Sequence, residues 1–230
     1  MCGLAAIYAY SGDAPPVNEA ALAACNARMI RRGPDAEGSW VSGDGRVGLA
    51  HRRLAIIDLD DRAAQPMSLT DGGPRIDITY NGEIYNFRAL RQQLQDQGQE
   101  FKTQSDTEVL LHLYRRDGAD MVRHLRGMFA FAIWDEEKRG MLLGRDAFGI
   151  KPLYYMDDGK TLFAASQVKA LLAGLGAMGR ATPSENPAAH AGFFLFGHVP
   201  EPLSLYKDIK ALPAGTTLWI DGGGAERETA

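Results

Sequence analysis

What most restricts the fold of this chain is a series of short apolar runs, each closed by turn-forming residues. Residues 3–10, Gly-Leu-Ala-Ala-Ile-Tyr-Ala-Tyr, end at Ser11-Gly12-Asp13 and Pro15-Pro16, the pattern of a strand buried in a core. Residues 47–57 form a longer strand-like run, and residues 127–134 and 141–143 flank Asp135-Glu136-Glu137-Lys138-Arg139-Gly140 as the arms of a β-hairpin. Shorter strands are expected at 39–41, 76–80, 162–165 and 218–220. Amphipathic helices are fewer. Residues 17–31 place Leu22, Cys25 and Met29 three and four apart behind Glu19. Residues 87–97 carry Leu90 and Leu94 and stop at Gly98, with Asn86 as the expected cap. Ser105-Asp106-Thr107-Glu108 reads as a capping box before Val109, Leu110, Leu113 and Tyr114. Short helices are expected at 168–172 and 190–196, a connection at 174–187 and a solvated tail at 221–230. Many short strands with few helices point to an α+β fold.

Composition bounds the function classes. With 230 residues the chain can bury roughly 70% of its unfolded surface. A formal net charge of -4 and the lack of a basic run argue against nucleic acid or an anionic membrane as partner. Two cysteines cannot build a disulfide framework, so a reducing compartment, by default the cytoplasm, is expected. No targeting segment or transmembrane helix is expected. The five histidines show no metal-ligand spacing, and no glycine-rich phosphate loop is present.

Four places offer chemistry beside a plain structural reading. Cys2 follows the initiator, and removal of Met1 would put a thiol and a free α-amine on one carbon. A thiol titrates near ~8.5 and an α-amine near ~7.7 to 8.0, so the amine can serve as the thiol's base without a histidine. Cys25, by contrast, lies on the apolar stripe of its helix and reads as packing. Arg52 and Arg53 interrupt an apolar run; in a strand they point to opposite faces, so one of them faces inward and needs an anion. Asn81-Gly82 reads as a tight turn whose Asn81 amide and Gly82 N–H could be two donors aimed at one point. Asp106 is explained as a first-turn acid and could also face a ligand.

Taken together, these residues resemble the glutaminase domain of glutamine-dependent asparagine synthetases, a class II glutamine amidotransferase of the N-terminal-nucleophile hydrolase kind. The matching segments are Met1-Cys2-Gly3, Arg32-Gly33-Pro34-Asp35, Ala50-His51-Arg52-Arg53-Leu54, Gln65-Pro66-Met67, Asn81-Gly82-Glu83-Ile84-Tyr85-Asn86, Ser105-Asp106-Thr107-Glu108, and Arg145-Asp146 through Gly149-Ile150-Lys151-Pro152-Leu153-Tyr154-Tyr155. The resemblance implies a four-layer α-β-β-α sandwich spanning residues 1–220. It implies L-glutamine as substrate, Cys2 as nucleophile, and Asn81 with the Gly82 N–H as oxyanion hole. It further implies Arg53 on the α-carboxylate with Ile56 and Ile57 backbone groups beside it, and Asp106 with Glu83 on the α-ammonium. Residues 198–220 resemble the bridge toward a synthetase domain.

Two departures qualify the match. Gln167 stands where the family usually has glutamate, and no Ser-Gly-Gly-x-Asp-Ser loop occurs. These 230 residues are therefore expected to hold no ATP- and Mg-using half, whether they are a fragment of a longer synthetase or a separate glutaminase partner, and no cofactor or metal is expected in them. A synthetase domain or subunit is the implied partner for ammonia, asparagine synthesis the default outcome, and a homodimer stays open. The alternatives are a non-catalytic glutamine-binding module, or an amidotransferase domain with another acceptor, such as the purine-precursor type.

Overall fold

The computed structural model describes residues 1–229. Twelve strands form two six-stranded sheets. The first contains β1 (Gly3–Ala9), β2 (Ala36–Val41), β3 (Val47–Arg53), β8 (Tyr154–Asp157), β9 (Thr161–Ala165) and β10 (Lys210–Ala211), in the order β10-β8-β9-β1-β3-β2. The second contains β4 (Met67–Leu69), β5 (Ile76–Ile84), β6 (Gly127–Asp135), β7 (Gly140–Arg145), β11 (Thr216–Asp221) and β12 (Gly224–Thr229), in the order β12-β11-β7-β6-β5-β4. All pairings are antiparallel.

Strand periodicity explains how the layers stack. Successive side chains of a strand face opposite sides, and both sides of β1 and β6 are buried. From β1, Leu4, Ala6 and Tyr8 enter the core between the sheets with Ala130, Ala132 and Trp134 of β6. The intervening Ala5, Ile7 and Ala9 meet Ala21, Leu22 and Cys25 of α1 (Glu19–Met29) and Leu171 and Leu175 of α4 (Val168–Ala177). From β6, Phe129, Phe131 and Ile133 meet Leu90 and Leu94 of α2 (Phe87–Asp96) and Leu110 and Leu113 of α3 (Asp106–Asp117). The result is the expected four layers, helices outside two face-to-face sheets. Each fully buried side chain such as Phe131 or Phe163 contributes about 1.5–3 kcal/mol. A further helix, α5 (Pro187–Phe196), lies outside this frame with Phe194 and Leu195 exposed.

Several local expectations change. Asn81-Gly82 is not a turn: β5 runs straight through both residues because each has a partner on β6, Asn81 opposite Ala130 and Gly82 opposite Phe129. The chain turns at Tyr85-Asn86 instead. Asn86 occupies the cap position of α2 but makes no capping bond; its side chain bonds the His124 carbonyl and the Arg126 N–H. Ser105 caps α3 through the Thr107 N–H, yet no reciprocal box forms, because Glu108 is taken by the Lys102 and Thr103 N–H groups and the Thr103 hydroxyl. The strand expected to 57 ends at Arg53, where the chain loops out. Helix α4 extends into the stretch expected as a connection. The expected tail instead contains β12, paired with β11 through Thr216 to Asp221, since Asp221-Gly222-Gly223-Gly224 supplies a hairpin turn. Ala230 lies outside the described residues. Among the described residues no helix is long and apolar enough to cross a membrane.

The two sheets are tied together by polar bonds as well as by the apolar core. His51 on β3 is buried, and its Nε2–H donates to the Tyr80 carbonyl of β5 at 3.0 Å. The Thr79 hydroxyl donates to the Ala50 carbonyl at 3.0 Å. Burial pushes the His51 imidazole down to about 3, outweighing the Tyr80 bond that favours its charged form; Arg53 pushes it down further. The folded protein therefore holds a neutral ring that the unfolded chain protonates below about 6.5. Between pH 6.5 and 3 this group takes up a proton only on unfolding, so its contribution to stability falls as pH falls, by up to ~1.4 kcal/mol per pH unit. Urea unfolding from pH 7 to 4 should show a steeper loss in the parent chain than in His51→Gln, which keeps a donor without the titration.

Candidate active site

Strands β1, β3 and β5 and the head of α3 bring five side chains to one place. Cys2 immediately precedes β1, and Arg53 ends β3, its antiparallel neighbour, so the pairing of Gly3 with Arg52 sets them side by side. Across the gap, alternation along β5 turns Asn81 and Glu83 to the same face as Thr79, whose hydroxyl already touches β3. Asp106 arrives at the N-terminus of α3. These groups line one cavity of about 250 Å³ together with Met1, Leu54, Ile56, Ile57, Gln65, Tyr80, Gly82, Met128 and Lys151. Every residue singled out from the sequence, Cys2, Arg53, Ile56, Ile57, Asn81, Gly82, Glu83 and Asp106, therefore borders the same space.

Two donors face this cavity. Asn81 is 1% exposed, and its Nδ2 has no hydrogen-bond partner. A buried donor left unpaired costs about 1–3 kcal/mol, so it is a strong sign of a ligand group. The second is the Gly82 N–H. Phe129, opposite Gly82, uses both its N–H and its carbonyl on Asp146, on the far side of β6. The N–H groups of Tyr80, Gly82 and Ile84 share the other edge of β5. Tyr80 N–H is taken by Gln65 Oε1 at 2.6 Å and Ile84 N–H by Asp106 Oδ2 at 3.0 Å. Gly82 sits between them, at the cavity wall. A Cβ there would lie 2.4 Å from the Met128 carbonyl oxygen and 2.6 Å from the Tyr80 ring.

Two opposite charges complete the lining. Arg53 is the inward arginine: it is 8% exposed and donates to the carbonyls of Asp58 and Asp60, the former a non-glycine residue at φ 54°. The loop after β3 folds around its guanidinium, but among the described residues no carboxylate pairs with it. Its neighbour Arg52 takes the other face and pairs with Glu37. Asp106 accepts from the Tyr80 hydroxyl at 2.8 Å and from Ile84 N–H, both on Oδ2. Burial raises its pKa, with Glu83 adding to the rise, while those two bonds lower it.

The nucleophile candidate is held by groups that the sequence reading did not single out. Cys2 Sγ lies 3.3 Å from the Leu54 N–H and 3.6 Å from the Leu54 carbonyl. Arg32 Nε donates to the Cys2 carbonyl at 2.8 Å. Arg32 can reach it because Gly33 packs directly on the backbone of Arg52, leaving no room for a Cβ. The Arg-Gly-Pro-Asp segment was visible as a motif, but nothing in its spacing pointed at Cys2. Cys25 is buried, its thiol donates to the Ala170 carbonyl, and burial pushes its pKa up to about 12. Gln167 lies at the head of α4, outside the cavity lining, and its Oε1 is buried without a partner. Among the described residues no group of three His, Cys, Asp or Glu side chains is arranged to hold a metal ion.

Comparison with known proteins gives a consistent result. A family model described as a glutamine amidotransferase domain matches residues 1–229. Asparagine synthetase (glutamine-hydrolyzing) 3 of Bacillus subtilis (strain 168) is 43% identical over 145 residues, covering 63% of this chain and 23% of that protein. Asparagine synthetase (glutamine-hydrolyzing) 1 of the same organism is 36% identical over 225 residues, covering 97% of this chain and 34% of that protein. The chain thus spans about a quarter to a third of the length of these two relatives. Among solved structures, the glutamine phosphoribosylpyrophosphate amidotransferase from B. subtilis, complexed with ADP and GMP, superposes with a TM-score of 0.70 at 22% identity. It covers 99% of this chain and 49% of that one, a likeness of fold.

The close approach at Gly82 generates a structural test. In Gly82→Ala the new methyl must displace a backbone carbonyl or the Tyr80 ring, so a loss of about 1–3 kcal/mol is expected. Chemical denaturation measures it directly.

Proposed function

The chain belongs to the glutamine amidotransferase domain family, and from that premise we propose that it hydrolyses the side-chain amide of L-glutamine through a thioester on Cys2 and supplies the ammonia to a synthetase domain or subunit. The observation that carries this reading is the buried, unpaired Nδ2 of Asn81 in the same cavity as the Cys2 thiol. That pairing of nucleophile and idle donor is what an acyl transfer needs and what simple binding does not.

The steps follow from the groups present. Removal of Met1, which itself lines the cavity, frees the α-amine of Cys2. The amine takes the thiol proton, and the thiolate attacks the glutamine side-chain carbonyl carbon. The carbonyl oxygen becomes an oxyanion that accepts from Asn81 Nδ2 and the Gly82 N–H. As the intermediate collapses, the C–N bond breaks and the ammonium of Cys2 returns a proton to the departing ammonia. Water, deprotonated by the same amine, then attacks the thioester; the C–S bond breaks, releasing glutamate and restoring the thiol.

Selectivity for glutamine follows from the two buried charges. Arg53 has its guanidinium edges on carbonyls and none on a carboxylate, so the substrate's α-carboxylate supplies the missing anion. Asp106 carries a carboxyl destabilised by burial, and the α-ammonium relieves that cost. Backbone groups of Ile56 and Ile57 flank the carboxylate, and Glu83 assists Asp106. A ligand lacking either α-group leaves a buried charge unmatched. Asparagine synthesis is the default use of the ammonia, since the similar B. subtilis proteins bear that name; ATP and Mg would act in the partner.

Glutamate release by the purified chain, with intact mass showing Met1 removed, tests the reading. Cys2→Ala should abolish turnover while the fold persists, and Arg53→Ala should mainly raise KM. Asp106→Asn should raise KM by a factor matching about 2 kcal/mol or more, without lowering the stability of the free protein, because the charge removed is one that burial disfavours. Full hydrolysis by Cys2→Ala would sink the mechanism.

A further inference from the structure

Lys151 is the charged residue of the cavity that the reaction scheme leaves without a task. It is 5% exposed and lines the same space as Cys2. The preceding loop is clamped for this purpose. The Asp146 carboxylate accepts from the N–H groups of Phe129, Phe148, Ile150 and Lys151 at 3.0–3.2 Å. Arg145 donates to the carbonyls of Lys151 at 2.9 Å, Gly149 at 2.7 Å and Leu212 at 2.5 Å, and to Glu201 at 2.9 Å. The backbone of residue 151 is thereby bonded at both its N–H and its carbonyl, and only the side chain is left to reach the cavity. Among the described residues the Lys151 ammonium takes no ion pair or hydrogen bond.

A cation on a mostly buried side chain, its ammonium open to the cavity and with no carboxylate in contact, gains from an anion placed in that cavity. Burial accordingly lowers the Lys151 pKa, and Arg32 lowers it further; Cys2, Asp146 and Glu83 act in the opposite direction. Asp146 has spent both oxygens on backbone N–H groups. The two α-groups of glutamine are already matched by Arg53 and Asp106. The thiolate of Cys2 faces the ammonium formed on its own α-amine and the Leu54 N–H at 3.3 Å, and Lys151 is the charged side chain of the cavity lining that remains to add to them.

We propose that Lys151 is a second cation, beside the α-ammonium of Cys2, that favours the Cys2 thiolate, acting on the reaction through Cys2 and not on the binding of glutamine. The proposal rests on Cys2 being the nucleophile. Its test compares Lys151→Met, which keeps most of the stem's bulk without the charge, with Lys151→Arg, which restores a cation. Purified Met1-free chains are treated with iodoacetamide at pH 7 and the Cys2 peptide is followed by mass; Cys25, buried and with its thiol pushed up to about 12, stays silent. A nearby opposite charge favours an ionised group by roughly tenfold or more, so Lys151→Met should slow Cys2 alkylation by about that factor and Lys151→Arg should recover most of it. In glutamine hydrolysis kcat should fall with KM near the parent value.

Alkylation of Lys151→Met at the parent rate overturns the proposal, as does a rise in KM at unchanged kcat. If Lys151→Met does not fold, Lys151→Gln against Lys151→Arg gives the same comparison. Because alkylation needs no turnover, a parent chain without glutaminase activity but with Lys151-dependent alkylation would defeat the glutaminase reading and leave this one intact.

Discussion

The site depends on the contact between β3 and β5, where the two sheets meet through more than apolar packing. His51 to the Tyr80 carbonyl and Thr79 to the Ala50 carbonyl fix one strand against the other. The groups of interest lie just beyond: Arg53, two residues past His51, and Cys2 beside it through β1 on one sheet; Asn81 and Glu83, two and four residues past Thr79, on the other. A slip of one residue in β5 would exchange Asn81 for Tyr80 or Gly82 on the facing side, because side chains alternate with period two. The buried hydrogen bonds pin that register. Their cost is a neutral histidine in the core.

Around this fixed crossing the remaining groups are placed by satisfied backbone bonds. Asp146 gathers four N–H groups, Arg145 three carbonyls, and Asp106 uses one oxygen to hold Tyr80 and Ile84 together. These motifs are thus scaffolding first. What these bonds leave open toward the cavity is informative: Asn81 Nδ2 has no partner there, and Arg53 and Lys151 have no carboxylate against them. The proposed reaction gives each a counterpart in the substrate or in the reacting sulfur.

Much of this was legible in the sequence, for physical reasons that differ by element. The buried strands were readable because both faces of β1 and β6 are apolar, and the helices α1 to α3 because their apolar stripes are regular. That one of Arg52 and Arg53 faces inward followed from alternation; that it is Arg53 came from the family resemblance. Asn81 and Gly82 were recognised as a donor pair by way of a turn that does not exist: Asn-Gly favours tight turns locally, but nine residues of pairing with β6 override that preference. The failed capping box has a similar cause, since Glu108 finds three donors in the preceding loop. Lys151 and Arg32 could not be placed near Cys2 from the sequence because their positions arise from loops folded back by long-range bonds, which no local spacing records. The four-layer stacking came from family resemblance, since periodicity gives faces but not which sheet covers them.

The most direct measurement is an acid-quenched mass spectrum of the Met1-free chain mixed with glutamine, digested to resolve the peptide that begins at Cys2. The account expects a transient glutamyl adduct on that peptide alone, present during turnover, lost when glutamine is exhausted, and missing from Cys2→Ala. Steady hydrolysis with the Cys2 peptide unmodified at every time point, or an adduct located on another residue, would contradict it.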